Sequence, residues 1–568
     1  MILDFSAVWW QDGTSLLWRE GRLVSQKTEN RNRYVGLTFS LVGILALALA
    51  LRLWGIGFGF PYAYHFDEPA YVRTALRLGA GIIDSQPSTT GFLNILFCED
   101  MAYFIGGRIS GLFASAEQFW RTDPNASLIL LGRLTSGFMG VLGVLAVYKL
   151  GKEIYGRLAG QLAALFLAVV FLHVRDSHYA VPDITAASLT SLAVLFSILT
   201  IRRRSRGFLY LAAATTGYAI TTKWSVGVVI VPLVVAAFPG LRTADSPIRR
   251  SKARYWLLAG GSLLGGFLAG GFQLALKPAL YLDRAFFEWE AGEAGGFWFW
   301  RVDTVPGWLF YLKTLNYGLG TVLLGLTLVG FVRRLATFAR GRDRMSILLL
   351  SFPVLYFLPM SSTRHYFARY ALPLAPFCAL FGAEAVMAVS AWAGTRKTRW
   401  RWGLAVILTL AAIAQPLSWS IRHDVILTRQ DTRTLAKQWI EAHVPAGAKI
   451  AVDWPVYGPP LSRELYSLKT LSGIGLARHP LQWYRERGFH YLIASSFISS
   501  NPLLDSNLDD TRRAFYAALD EELELVREFN PGKGGTEPPF IFDEVYGPAI
   551  SLWQRERPGP VIKIYRLQ

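Results

Sequence analysis

The stretch ASLTSLAVLFSILTI-RRRSR-GFLYLAAATTGYAI, residues 187–220, sets two apolar runs on either side of a five-residue segment that holds four arginines. Crossing the hydrocarbon core of a bilayer takes roughly 20 residues of helix. Four arginines cannot stay in lipid, so the cluster belongs at a membrane surface, with an apolar run entering on each side of it. The pattern repeats along the chain. Apolar runs at 37–54, 158–172, 226–238, 256–276 and 402–417 are separated by the basic groups Arg31/Arg33, Lys149/Lys152/Arg157, Arg249/Arg250/Lys252/Arg254, Arg333/Arg334/Arg340/Arg342/Arg344 and Arg396/Lys397/Arg399/Arg401.

Composition agrees with this reading. Of 568 residues 52% are hydrophobic and only 17% charged, where a soluble chain carries about a quarter charged residues. A net charge of +18 could serve nucleic acid, but the lysines and arginines lie in short loops between apolar runs. That is the positive-inside pattern of a multi-pass membrane protein, and it excludes nucleic acid as the partner. The first run follows about thirty residues and is too long for the apolar part of a cleaved signal, so it reads as a retained signal anchor. Cys98 and Cys378 are too few for a disulfide framework.

With every basic cluster kept inside, the chain is expected to cross about eleven times, near 34–54, 128–150, 158–172, 182–201, 208–220, 224–238, 256–276, 317–332, 346–360, 371–391 and 402–418. Two outer loops, 55–127 and 277–316, carry amphipathic stretches that would cap the bundle. Phe297-Trp-Phe-Trp300 with Trp308, Phe310 and Tyr311 reads as an interfacial aromatic belt. The fold class expected is mainly α, a polytopic membrane helix bundle with a C-terminal soluble α/β domain. Residues 1–33 form a cytoplasmic segment, 34–420 the membrane region, and 421–568 the extracytoplasmic domain. In the last, helices at 431–443, 481–487 and 510–523 alternate with strands at 449–453, 490–496 and 561–567.

Candidate chemistry gathers outside. Tyr64-His65-Phe-Asp67-Glu68-Pro69 follows the first helix, and two adjacent carboxylates at a membrane surface are costly. They read either as a general base with its partner or as caps of the helix that Pro69 opens. Arg175-Asp176-Ser-His178…Asp183 occupies a short outer turn. Carboxylates with an imidazole could bind a divalent metal, orient an acceptor or hold sugar hydroxyls; the alternative is an Arg175–Asp176 ion pair with Asp183 at a helix start. Lys223, Arg364, His365 and Arg369, which precedes Tyr370, could neutralise a lipid phosphate or simply meet headgroups. His423, His443 and His490 read as ordinary packing or surface residues. No phosphate-binding glycine loop, dinucleotide fingerprint or Cys-x-x-Cys pair appears, so no nucleotide cofactor is expected.

Four places carry a family resemblance: His65-Phe-Asp67-Glu68, Arg175-Asp-Ser-His-Tyr-Ala-Val-Pro-Asp183, Gly217-Tyr-Ala-Ile-Thr-Thr-Lys223-Trp and Arg369-Tyr-Ala-Leu-Pro373. In order and placement the chain resembles the GT-C superfamily of membrane glycosyltransferases, of the family 39 protein O-mannosyltransferase and aminoarabinose-transferase type. The resemblance implies an inverting glycosyltransferase of the cytoplasmic membrane that uses a polyprenyl-phosphate-linked sugar. Asp67 would be the base, Glu68 its supporting neighbour, and Arg369 with Lys223 or Arg364 would neutralise the leaving phosphate. His65, Asp176, His178, Asp183, His365 and Tyr370 would complete the donor and acceptor sites. Glu68, Asp176 and His178 would hold a divalent metal if one is bound. A transporter or flippase of lipid-linked saccharide is the alternative; it would be expected to show repeated halves, which the sequence lacks. A scaffold that binds a partner through its outer domain is a third, weaker reading.

Overall fold

The computed structural model describes residues 41–84, 88–121, 125–238, 252–294, 305–341, 343–363, 367–394, 398–454, 456–500, 503, 505–538 and 551–567. The first described helix, α1 (Leu41–Leu53), leads into a segment with α2 (Glu68–Gly79), α3 (Gly91–Ile109) and α4 (Ala116–Arg121). The bundle continues with α5 (Asn125–Tyr155), α6 (Arg157–Val169), α7 (Phe171–Asp176), α8 (Pro182–Arg202) and α9 (Arg206–Thr222). A 3₁₀ turn, Trp224–Val229, then precedes α10 (Ile230–Ala237) and α11 (Lys252–Leu276). A second such segment forms α12 (Pro278–Ala294) and α13 (Gly307–Leu319), followed by α14 (Thr321–Gly341), α15 (Arg344–Ser362), the 3₁₀ turn Ala368–Leu374, α16 (Ala375–Gly394) and α17 (Thr398–Leu427).

Among the described residues, seven helices are long and apolar enough to cross a membrane. They are α5, α8, α11, α14, α15, α16 with its leading turn, and α17. The protein is a multi-pass membrane protein. The other four expected crossings coincide with shorter elements: α1, α6, α9 and the run from Trp224 through α10. One expected crossing is displaced. Gly320 adopts φ +84°, a backbone state that favours glycine, and breaks the run, so Tyr317 belongs to α13 and the spanning helix starts at Thr321. The aromatic belt is also corrected. Trp308 is exposed, but Phe310 and Tyr311 are buried in the main core; residues 297–300 lie outside the described residues.

Helix α8 lies at the centre, buried along most of its length, and packs on α5, α9, α10 and the Ala368–Leu374 turn. Close approach depends on small residues, as is usual where lipid supplies no hydrophobic drive. A side chain at Gly217 of α9 would run into the Leu263 carbonyl of α11, and one at Gly266 into the Ala214 carbonyl.

Beyond α17 the chain forms α18 (Thr432–His443) and a five-stranded sheet with β1 (Lys449–Asp453), β2 (Ser467–Leu471), β3 (Tyr491–Ser495), β4 (Glu524–Phe529) and β5 (Ile562–Arg566). The strand order is β2-β1-β3-β5-β4; β1 runs parallel to β2 and β3, and β5 antiparallel to β3 and β4. Ile450, Val452, Ile493 and Ile564 pack on one face with Ala436 and Ile440 of α18. Ala451, Leu492, Ala494 and Tyr565 face the other way, onto a core completed by α19 (Leu481–Glu486) and α21 (Ser506–Glu522), which flank the short α20 (Ser496–Ser499). The strand period of two places successive residues in opposite layers. Strands β2 and β4 are additions to the sequence reading. Both are edge strands; β4 is largely exposed and β2 buries only Leu471, so neither carries the apolar run of an inner strand.

Candidate active site

Asp67 occupies the N-cap position of α2, with Pro69 in the first turn, yet its side chain accepts no capping hydrogen bond. The carboxylate instead meets Arg369, with Oδ2 2.5 Å from Nη1. Arg369 lies in the Ala368–Leu374 turn at the head of α16, and its guanidinium also covers the Phe367 ring at 4.7 Å. Both partners remain partly open, at 25% and 16% exposure. A charge pair held together but accessible can be taken up by a ligand.

Glu68 has a different setting. It is fully buried, and both of its oxygens accept from Arg133 of α5, Oε1 from Nε at 2.7 Å and Oε2 from Nη2 at 2.8 Å. The Ala180 N–H donates to Oε1 at 2.9 Å. Arg133 also donates to the carbonyls of Ile56 and Phe58, both at 2.8 Å, and stacks on the Phe58 ring at 3.9 Å. Such fork-to-fork geometry is strong and directional, and here it fixes the loop that leads to Asp67 against α5 and the α7–α8 turn. Sequence reading passed over Arg133, although a lone arginine within the apolar run of a spanning helix was a usable signal.

His65 sets the local turn. Its Nδ1 accepts from the Asp67 N–H at 3.1 Å, and its ring lies 4.6 Å from that of Tyr179. Burial, with Arg369, Arg133 and Arg175 nearby, holds its imidazole well below the usual histidine range, so it is neutral with the proton on Nε2. Tyr71, one turn into α2, has its hydroxyl 3.0 Å from Thr89 Oγ1. Burial raises that phenol, with Asp67 and Asp183 adding to the effect, so it stays protonated.

A second charge pair completes this face. Asp183, in the first turn of α8 after Pro182, is bonded to Lys223 at the end of α9. The Lys223 ammonium lies 4.6 Å above the Tyr370 ring, and Tyr370 follows Arg369 in the same turn. The structure thus gathers Asp67, Arg369, Tyr370, Lys223 and Asp183 from four separate elements. Glu288 of α12, unremarked in the sequence, reaches the rim, where it accepts from Ser88 Oγ at 2.7 Å and pairs with Arg284 at 3.0 Å.

The remaining candidates go elsewhere. Arg364 and His365 lie outside the described residues. Asp176 is buried against Arg175, with Nε to Oδ2 at 3.1 Å. His178 is buried too; Nδ1 faces the Val174 carbonyl at 2.9 Å and Nε2 the Trp54 carbonyl at 3.0 Å. The three expected metal ligands therefore do not assemble together. Arg133 takes Glu68, Arg175 takes Asp176, and His178 groups with His423 and Asp424.

The sheet domain reaches the same loop. Phe66 lies 5.3 Å from Trp454 and 6.3 Å from Tyr457, in the loop that leaves the carboxyl end of β1. Tyr64 Oη lies 2.7 Å from Thr434 Oγ1, and Arg433 stacks on the Tyr64 ring at 3.9 Å while pairing with Asp431 at 2.8 Å.

The chain superposes on the crystal structure of the apo Archaeoglobus fulgidus oligosaccharyltransferase with a TM-score of 0.54 at 14% identity, covering 93% of this chain and 88% of that one. The fold is that of the GT-C glycosyltransferases. Residues 128–264 of this GT-C-fold chain match the family model described as dolichyl-phosphate-mannose-protein mannosyltransferase. The matched span includes Arg133, the Asp176–Asp183 turn and Lys223, and excludes Asp67 and Arg369. The archaeal oligosaccharyltransferase AglB of Archaeoglobus fulgidus, in complex with an inhibitory peptide and a dolichol-phosphate, is similar at a TM-score of 0.50 and 14% identity, over 82% of this chain and 70% of that one. Cupriavidus metallidurans ArnT bound to undecaprenyl phosphate gives 0.49 at 14% identity, over 92% and 97%. No curated protein matches the sequence.

Proposed function

We propose that this protein transfers a sugar from a polyprenyl-phosphate-linked donor to an acceptor hydroxyl, with inversion, on the outer face of the cytoplasmic membrane. The observation that carries the reading is the accessible Asp67–Arg369 pair beside Lys223 and Asp183. An incoming phosphate competes with Asp67 for the Arg369 fork, since guanidinium matches both anions. As Arg369 and Lys223 turn to the phosphate, Asp67 is released to take the proton of the acceptor hydroxyl as it attacks the anomeric carbon. The same cations stabilise the charge that develops on the departing lipid phosphate. Energy comes from the donor's phosphate bond. Glu68 acts on the loop through Arg133 and does not touch substrate; His65 and Tyr71 hold the turn and wall beside Asp67.

A protein of the same fold that binds dolichol-phosphate and a peptide supports the donor class. In this reading residues 1–33 stay cytoplasmic, 34–420 form the catalytic membrane region, and 421–568 stand outside against the catalytic loop. The test is transfer by the purified chain in nanodiscs, supplied with polyprenyl-phosphate sugars and hydroxyl acceptors. Asp67→Asn, with unfolding behaviour unchanged, is expected to lose transfer by about 10²–10⁴-fold, the range for removal of a general base. Retained transfer overturns the assignment.

A further inference from the structure

His178, in the turn between α7 and α8, meets His423 and Asp424 of α17 at a buried joint. One ligand atom from each lies within 4.8 Å of the other two. Asp424 Oδ1 stands 3.5 Å from His178 Nε2 and 3.2 Å from His423 Nδ1. In a tetrahedral site with metal–ligand bonds of about 2.0–2.1 Å, neighbouring ligand atoms are about 3.3–3.4 Å apart. Both separations fit such edges.

Proton bookkeeping points the same way. His178 Nδ1 faces the Val174 carbonyl at 2.9 Å, an acceptor only, so this nitrogen carries the hydrogen and donates. Nε2 then presents a lone pair toward two oxygens, the Trp54 carbonyl at 3.0 Å and Asp424 Oδ1. A lone pair against two oxygens repels both unless positive charge sits among them. Asp424 Oδ2 is buried without a hydrogen-bond partner, a cost that a cation held by this carboxylate would remove.

We propose that a divalent transition metal of the zinc class binds His178 Nε2, His423 Nδ1 and Asp424, with the Trp54 carbonyl as fourth ligand. Two imidazoles and one carboxylate favour zinc, cobalt or nickel over magnesium or calcium, which take oxygen shells. The His178 Nδ1–H bond to a carbonyl is the outer contact that fixes a ligating imidazole. The ion joins the end of α1, the α7–α8 turn and the helix that delivers the sheet domain. Neither Asp67 nor Arg369 is among its ligands, and it does not rest on the transfer reaction.

The experiment is metal analysis of the full chain, purified in detergent from zinc-supplemented medium, with zinc-edge X-ray absorption. About one zinc per chain is expected, with nitrogen and oxygen neighbours at about 2.0–2.1 Å. His423→Gln and Asp424→Asn are each expected to cut the bound zinc at least about tenfold. Should a variant fail to fold, the wild type decides: after chelation and Co²⁺ addition it is expected to show the visible absorption of four-coordinate cobalt. Wild type that binds neither metal overturns the proposal, because a proton then occupies the cluster. Zinc retained in folded His423→Gln or Asp424→Asn overturns it equally.

Discussion

Asp67 Oδ2 and Arg369 Nη1 lie 2.5 Å apart although 302 positions separate them in the chain. The pair joins the cap of α2 to the turn that opens α16. Each partner is partly open to solvent, so the pair is exchangeable where a buried one would be fixed.

Exchange has a binding signature. In the proposed reaction phosphate competes with Asp67 for Arg369, so Asp67→Asn is expected to bind polyprenyl phosphate more tightly, by about 5-fold if the pair is worth about 1 kcal/mol. Arg369→Gln is expected to weaken binding at least about 10-fold, and Arg369→Lys to fall between, because an ammonium keeps the charge but lacks the planar fork. Titration of the nanodisc-embedded variants with the lipid phosphate checks the order.

Glu68 and Arg133 make the opposite prediction. Breaking a fully buried ion pair leaves an unpaired charge and costs about 3–5 kcal/mol. Glu68→Gln is therefore expected to lower thermal stability markedly and to lose transfer through the fold. Replacing both partners, as in Glu68→Gln with Arg133→Met, is expected to recover part of the stability, read by thermal unfolding in detergent. A fully stable Glu68→Gln that has lost transfer would assign Glu68 to the chemistry instead.

His65 gives a pH dependence with a definite sign. Its folded-state value lies well below the usual 6.5, so below about pH 6.5 the unfolded chain binds a proton that the folded one refuses. Stability is complete above that pH and falls as pH drops, by up to about 1.4 kcal/mol per unit from this group alone. His65→Asn, which keeps an acceptor for the Asp67 N–H, is expected to flatten the slope between pH 6.5 and 5. Comparison of unfolding midpoints across that range isolates the contribution from other buried histidines.

The contact between Tyr64 and Thr434, with Arg433 stacked above, ties the sheet domain to the loop that leads to Asp67. Arg433→Met is expected to leave Asp431 buried without its counter-charge. Loosened docking should raise proteolytic cleavage after α17 and reduce the turnover rate more than the affinity for lipid phosphate. Limited proteolysis read beside transfer kinetics tests this.

Sequence by itself determined the membrane bundle, because hydropathy and charge placement are local properties that a bilayer reads directly. It also determined the three inner strands, whose apolar runs record burial, and it singled out Asp67, Lys223, Asp183 and Arg369 as site candidates. The tertiary structure decided who meets whom. That Asp67 turns to Arg369 and not back to its own helix depends on the Ala368–Leu374 turn, which packs on α8 and carries Arg369 to the cap of α2. That Glu68 is a buried clamp depends on Arg133, one cation on a spanning helix 65 positions away. The regrouping of His178 with His423 and Asp424, and the docking of Trp454 and Tyr457 on Phe66, join these turns to segments more than two hundred residues later. Periodicity tells each residue which face it is on. It carries no information about which distant face lies opposite, since that is settled only when helices pack and buried charges find their partners.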